Sequence, residues 1–294
     1  KELEPGLNAL FGLEYDRYDS EHAEIFDEES SDRAFEEDVM LSGFSTAPVK
    51  SEGGSVNFDD AQETYTARYT HETIALAFSI TEEAVEDNLY DRLASRYTRA
   101  LARSMSQTKQ IKAAAVLNNA FTAGASAIGD GVALCSASHP TINGTQSNVL
   151  AVAADLNETS LEQMLIDVAG AKDERGLKVA IRGQKLIIPK ELQFVAERLL
   201  NSNLRPGSAD NDVNATKSMG MLPDGAVVNH FLTDTDAFYI KTDCPNGFKL
   251  FQRTPLRTAM EGDFDTGNMR YKARERYSFG VSDWRCVFGT PGAA

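Results

Sequence analysis

The 294 residues carry 44 acidic against 29 basic side chains, a formal charge of -15, which opposes any surface that grips nucleic acid through counterion release from phosphate. Three cysteines, Cys135, Cys244 and Cys286, stand too far apart for a disulfide framework or a zinc site. No run approaches the roughly 20 apolar residues of a membrane helix, so a soluble protein of one or two domains in a reducing compartment is expected, without a signal peptide or membrane.

In chain order, the first feature is acidic. Twelve acids crowd between Glu14 and Asp38 against Arg17 and Arg33, interleaved with Tyr15, Tyr18, Ile25, Phe26 and Phe35. That mixture describes an arm that docks on something rather than a core element. From Leu41 to Ile80 the pattern is extended: Tyr65, Ala67 and Tyr69 alternate with threonines and Arg68, and Ile74, Leu76, Phe78 and Ile80 alternate with small residues. The polar centre Lys50-Ser-Glu-Gly-Gly-Ser suggests a long two-stranded hairpin with its tip near Gly53 and Gly54. Two lone strands are marginal in water, so the hairpin is expected to reach another chain, with Lys50, Gly53 and Gly54 as contact residues.

Thr81-Glu82-Glu83 gives an N-cap with acids in the first turn, and no proline interrupts the chain from Thr81 to Phe121, which predicts one very long helix. Arg92, Arg96, Arg99 and Arg103 share one face of it at spacings of four, three and four. Either solvent or the acidic arm, of the same or a neighbouring chain, is expected along that face. Residues 124 to 157 are rich in turns. After Ser160, short helices over 161–168 and 192–200 alternate with short strands at 185–189, 225–228 and 237–240, the signature of a small α/β lobe. Aromatic strand-like pieces follow at 248–251, 269–281 and 284–288.

Motifs for chemistry are few. The stretch ALCSASHPTINGT places Cys135 four residues before His139, the minimum for a nucleophile and base, and a cytosolic hydrolase using that pair is the alternative from another functional class. The turn residues Pro140, Asn143 and Gly144 favour a rigid turn instead, with the imidazole bonding nearby backbone. Asp234-Thr-Asp236 reads as turn chemistry before a strand rather than a metal site. The four histidines are scattered, no phosphate loop, dinucleotide fingerprint or nucleophile elbow occurs, and no cofactor or metal is expected.

The runs Gly131-Val-Ala-Leu-Cys-Ser-Ala-Ser-His-Pro140, Ser147-Asn-Val-Leu150, Leu156-Asn-Glu-Thr-Ser-Leu161 and Leu186-Ile-Ile-Pro-Lys-Glu-Leu-Gln-Phe-Val-Ala-Glu-Arg-Leu-Leu200, continued by Leu232-Thr-Asp-Thr-Asp-Ala-Phe-Tyr239 and Arg274-Glu-Arg-Tyr-Ser-Phe-Gly-Val-Ser-Asp-Trp284, resemble in content and order the major head subunit of Mu-like tailed bacteriophages. That family is similar in fold to the capsid protein of phage Hong Kong 97. The resemblance implies an α+β fold divided into an acidic N-terminal arm (1–40), an extended loop lying over a neighbouring subunit (41–80), a peripheral domain with its spine helix (81–158), an axial domain (159–241) and return strands of the peripheral domain (242–294). It implies a structural protein, not an enzyme, that builds an icosahedral head of hexamers and pentamers around double-stranded DNA. Scaffold, portal and decoration proteins are the implied partners, the virion the implied location after assembly in the host cytoplasm, and a cellular nanocompartment of the same fold the nearest alternative. In some relatives a loop lysine bonds covalently to a neighbour's asparagine; Lys50 and Asn268 occupy broadly comparable segments, but no motif licenses that assignment.

Overall fold

The computed structural model describes residues 3–86, 90–124, 128–205, 212–263 and 267–293, without the side chains of 3 and 85–93. The chain opens with helix α1 (Leu3–Tyr15), a 3-10 turn (Glu21–Glu24) and strands β1 (Asp27–Ser30) and β2 (Phe35–Leu41). Strands β3 (Glu63–Thr70) and β4 (Glu72–Ile80) lead through the short helix α2 (Glu82–Glu86) to α3 (Tyr90–Asn118), 29 residues and so about 43 Å long. A small hairpin, β5 (His139–Thr141) and β6 (Gly144–Gln146), precedes α4 (Glu158–Ala169), β7 (Gly183–Ile188), α5 (Gln193–Asn201), α6 (Ala215–Met219), β8 (Ala226–Val228) and β9 (Phe238–Thr242). Two long strands, β10 (Phe248–Gly262) and β11 (Met269–Val281), and the short β12 (Val287–Thr290) complete it.

The long strands build a sheet in the order β1-β10-β11-β4. Strand β10 runs past the 248–251 anticipated from sequence because Pro255 hides its alternation: the register slips between Gln252 and Arg257, where proline cannot donate to a ladder, and then resumes to Gly262. One face of this sheet carries Tyr271 and Ala273 onto the Ala94, Leu101, Ala102 and Met105 stripe of α3, and α1 adds Leu7 and Phe11 to the same core. The spacing of that stripe is the one an α-helix needs to keep a single face buried.

The second sheet, β12-β9-β7-β8, belongs to the lobe. Its central strands are buried on both sides, so they read as continuous apolar runs rather than alternation. Leu186, Ile188, Phe238 and Ile240 point into a core shared with α4 and α5, while Ile187 and Tyr239 point into the central core with Leu117, Leu134, Phe248 and Trp284. A reciprocal capping box, in which Asn157 accepts from the Ser160 amide and Ser160 from that of Asn157, starts α4.

Strand pairing departs from the expected hairpin in one respect. Strand β3 pairs not with β4 but with β2, from the acidic arm, while β4 pairs with β11 in the main sheet. The alternation of 64–70 and of 74–80 is real in both stretches, but pattern alone does not choose the partner strand. Residues 42–62 form no strand at all.

Candidate assembly surfaces

The Cys135 and His139 pair resolves into structure. Both ring nitrogens of the fully buried His139 are engaged, Nδ1 with Asp130 Oδ2 at 2.6 Å and Nε2 with Asn148 Oδ1 at 3.0 Å. The Asn148 amide nitrogen donates in turn to the carbonyls of Leu134, Trp284 and Val287. The imidazole stacks on the Trp284 indole, centroids 4.4 Å apart and planes 3° from parallel, and Arg285 lies over the same indole while binding Glu174. The expected turn is there, but the imidazole bonds side chains rather than backbone. Together these contacts tie the 130–148 segment to the chain near β12. Cys135 is buried, among the described residues no base is hydrogen-bonded to it, and burial pushes its thiol far above the ordinary range, which denies it the thiolate a nucleophile needs. Asp130, Asn148 and Arg285 escaped the sequence reading because a single buried polar residue leaves no periodic trace.

Asp234 is likewise a turn residue, accepting from the amides of Asp236 and Ala237. Among the described residues no cluster of His, Cys, Asp and Glu could hold a metal ion.

The loop 42–62 is the opposite kind of object. Its limbs are held together by Ser42 N–H donating to Gln62 O and by Ser45 donating its amide and hydroxyl to Asp59. At the tip, Gly54 N–H closes a turn onto Ser51 O, and Gly53 takes φ +77°, a conformation favouring glycine. Lys50 is exposed there, beside Val49 at 100% exposure, and Phe58 is at 97%. The base of the loop is pinned by polar contacts as well as by the buried Ala67 and Tyr69, which pack on Phe251. Asp38 accepts from Lys249 Nζ at 2.8 Å and from Ser282, which also meets the Tyr69 hydroxyl. His71, at the junction of β3 and β4, spans Ser31 and Ser278.

The arginine face of α3 differs from expectation in how it is met. The arm does lie on α3 of its own chain, but through Leu7 and Phe11, and among the described arginines of that face only Arg103 touches it by cation–π contact, 5.9 Å above Tyr18. Arg96 and Arg99 are exposed, and the Arg92 side chain lies outside the described residues. The arm's acids instead pair across the molecule: Glu21 with His230, Glu24 with Lys185, Glu29 with Lys249. Beneath the arm, Glu275 faces Lys109 at 4.0 Å with neither carboxylate oxygen hydrogen-bonded, and burial raises its pKa to about 7 despite that lysine.

A family model described as phage capsid protein matches residues 64–289. The chain belongs to that family. The fold of this capsid protein is of the Hong Kong 97 type, and its structural neighbours agree at low sequence identity. The virus-like particle of Pyrococcus furiosus is 9% identical with TM-score 0.56, covering 99% of this chain and 100% of that one. The capsid of an empty GTA particle is 12% identical at 0.57, with 95% and 91% covered. The capsid of Myoviridae phage XM1 is 12% identical at 0.54, with 91% and 89% covered. No curated protein matches the sequence. As a family member the chain is a structural component of a phage capsid.

Proposed function

We propose that this chain is the major head subunit, and that its copies assemble into a closed icosahedral shell of hexamers and pentamers around double-stranded DNA. The observation that carries this is the loop 42–62: it projects with local turns but no core of its own, leaving Val49 and Phe58 bare, and an extended segment of that kind is marginal alone and is completed by another subunit. In this reading 1–40 is the arm, 41–80 the extended loop, 81–158 with 242–294 the peripheral domain and 159–241 the axial domain. Lys50, Gly53, Gly54 and the exposed arginines of α3 lie at contacts between subunits. Many modest contacts under closed symmetry make a stable shell without enzymatic chemistry. Scaffold, portal and decoration proteins would act during or after assembly in the host cytoplasm, and the net charge of -15 lets DNA move within the shell.

Light scattering followed by electron microscopy of the largest species tests this. Closed shells tens of nanometres across support it, and a monomer at every concentration, with or without a scaffold protein, refutes it. The virus-like particle of Pyrococcus furiosus favours one second reading, a compartment without a genome. DNA inside the shells supports the head, and cargo protein supports the compartment.

A further inference from the structure

The exposed face of the long sheet carries a regular row of basic side chains. Along β11, Tyr271, Ala273, Glu275 and Tyr277 turn toward α3, which leaves Arg270, Lys272, Arg274 and Arg276 on the outer side. Cross-strand pairing sets Arg257 of β10 directly opposite Arg274, and places only Ala77, Ala75 and Thr73 of β4 opposite Lys272, Arg274 and Arg276. Acid reaches this face only at its two ends: Asp263 pairs with Arg270 and Glu261 stands opposite it, while beyond Arg276 Glu36 is joined to Ser278 through Ser31 and His71. Among the described residues, Arg257, Lys272, Arg274 and Arg276 have no ion pair or hydrogen bond, and the Arg276 Nε is buried without a partner. In a chain with 15 excess negative charges this is a local inversion of sign. Like charges directly opposite on a ladder destabilise it, so an uncovered face of this kind carries a standing repulsion that an anionic cover would relieve.

We infer that the outer face of β4, β11 and β10 is a docking surface for an extended acidic polypeptide segment of a partner protein. Three observations select that occupant. The cations recur at every second residue, about 6.7 Å apart, the spacing at which an extended chain presents alternate side chains. The small residues of β4 leave room beside the arginine stems for a strand to lie flat. The overall charge of -15 repels a nucleic-acid duplex at long range but leaves a short acidic segment free to approach. Of the arm acids of this chain, Glu21, Glu24 and Glu29 are already held by other partners.

Labelled poly-L-glutamate titrated into the purified chain at low salt, with a duplex oligonucleotide in parallel, tests the assignment by fluorescence anisotropy. Poly-L-glutamate is expected to bind, to be released by salt, and to lose about tenfold in affinity in Lys272→Gln/Arg274→Gln, while Arg96→Gln/Arg99→Gln on α3 stays within about twofold. Because the first variant removes repulsion, its melting temperature should equal or exceed that of the native chain, which separates lost binding from lost fold. Duplex DNA binding as tightly as poly-L-glutamate would overturn the inference in favour of nucleic acid. Absent poly-L-glutamate binding, with self-association weakened by the same variant, would overturn it in favour of a second copy. An equal loss in the α3 variant would reduce it to nonspecific charge.

Discussion

In the lobe, successive residues of one strand serve two cores, Leu186 and Ile188 on one side and Ile187 on the other, all three without exposed surface. In the loop 42–62, Val49 and Phe58 are almost wholly exposed and the base is fastened by Asp38, Lys249, Ser282 and Tyr69. The lobe therefore draws its stability from apolar burial within one chain. The loop has local shape but no core, so its apolar residues can contribute only between chains. The same substitution should then mean different things in the two places.

The sharpest break in that contrast is a charge placed in each. Ile188→Asp buries an unpaired carboxylate and should cost about 4 kcal/mol or more, visible as loss of soluble folded subunit. Phe58→Asp should leave the subunit's melting curve within about 0.5 kcal/mol of native while abolishing shells by electron microscopy. A subunit destabilised as much by the second change as by the first would erase the distinction.

Next in size is His139→Ala, which strands the Asp130 carboxylate and empties the stack on Trp284. About 3 kcal/mol should be lost in urea unfolding, with Cys135→Ala costing only about 1 kcal/mol and still permitting assembly. Were Cys135→Ala to block assembly at unchanged stability, the thiol would have a role beyond packing.

Glu275 offers a test of the seam between arm and sheet. Its pKa lies near 4.5 in the unfolded chain and is raised to about 7 in the folded one, chiefly by burial. The folded state thus holds the proton more tightly; the associated stability is full below pH 4.5 and is lost as pH rises through 7. Glu275→Gln should raise the melting temperature at pH 8, by a shift on the order of 2 to 3 kcal/mol, and change it little at pH 4.5. An equal shift at both pH values would show that Lys109 keeps the carboxylate charged throughout.

The smallest expected effect is at the loop's base. Asp38→Asn keeps the shape but weakens the bond from Lys249 by about 1 kcal/mol, and should speed amide exchange in β2 and β3 while leaving β7 and β9 unchanged.

Much of this architecture was legible in the residues. Helix α3 showed through its uninterrupted period, although the one helix expected from Thr81 to Phe121 is described as α2 and α3 with 87–89 outside the described residues, and the lobe showed through strands and helices bounded by glycine, proline and an N-cap. What pattern could not supply was pairing. Nothing in Phe35 to Leu41 announces a union with Glu63 to Thr70, because alternation records which face is buried and is silent about the neighbouring strand. Nor could the acids of the arm be assigned to Lys185, His230 or Lys249, each reached only through the fold. The basic row of β11 was visible as alternation but hidden by its acidic setting, since a total charge conceals a local reversal.

Strand β1 lies parallel to β10, with Asp27 beside Lys249 and Ser30 beside Gln252. Ribosomes make the arm before β10, so during most of synthesis β1 and Asp38 lack their partners in β10 and at Ser282, although β2 and β3 can already pair. Contacts spanning more than 200 residues form late and slowly. Fastening of Asp38 by Lys249 and Ser282 therefore acts as a completion signal: a truncated chain that stops short of them cannot anchor the loop's base to the main sheet, and so should be excluded from any growing particle without a separate act of proofreading.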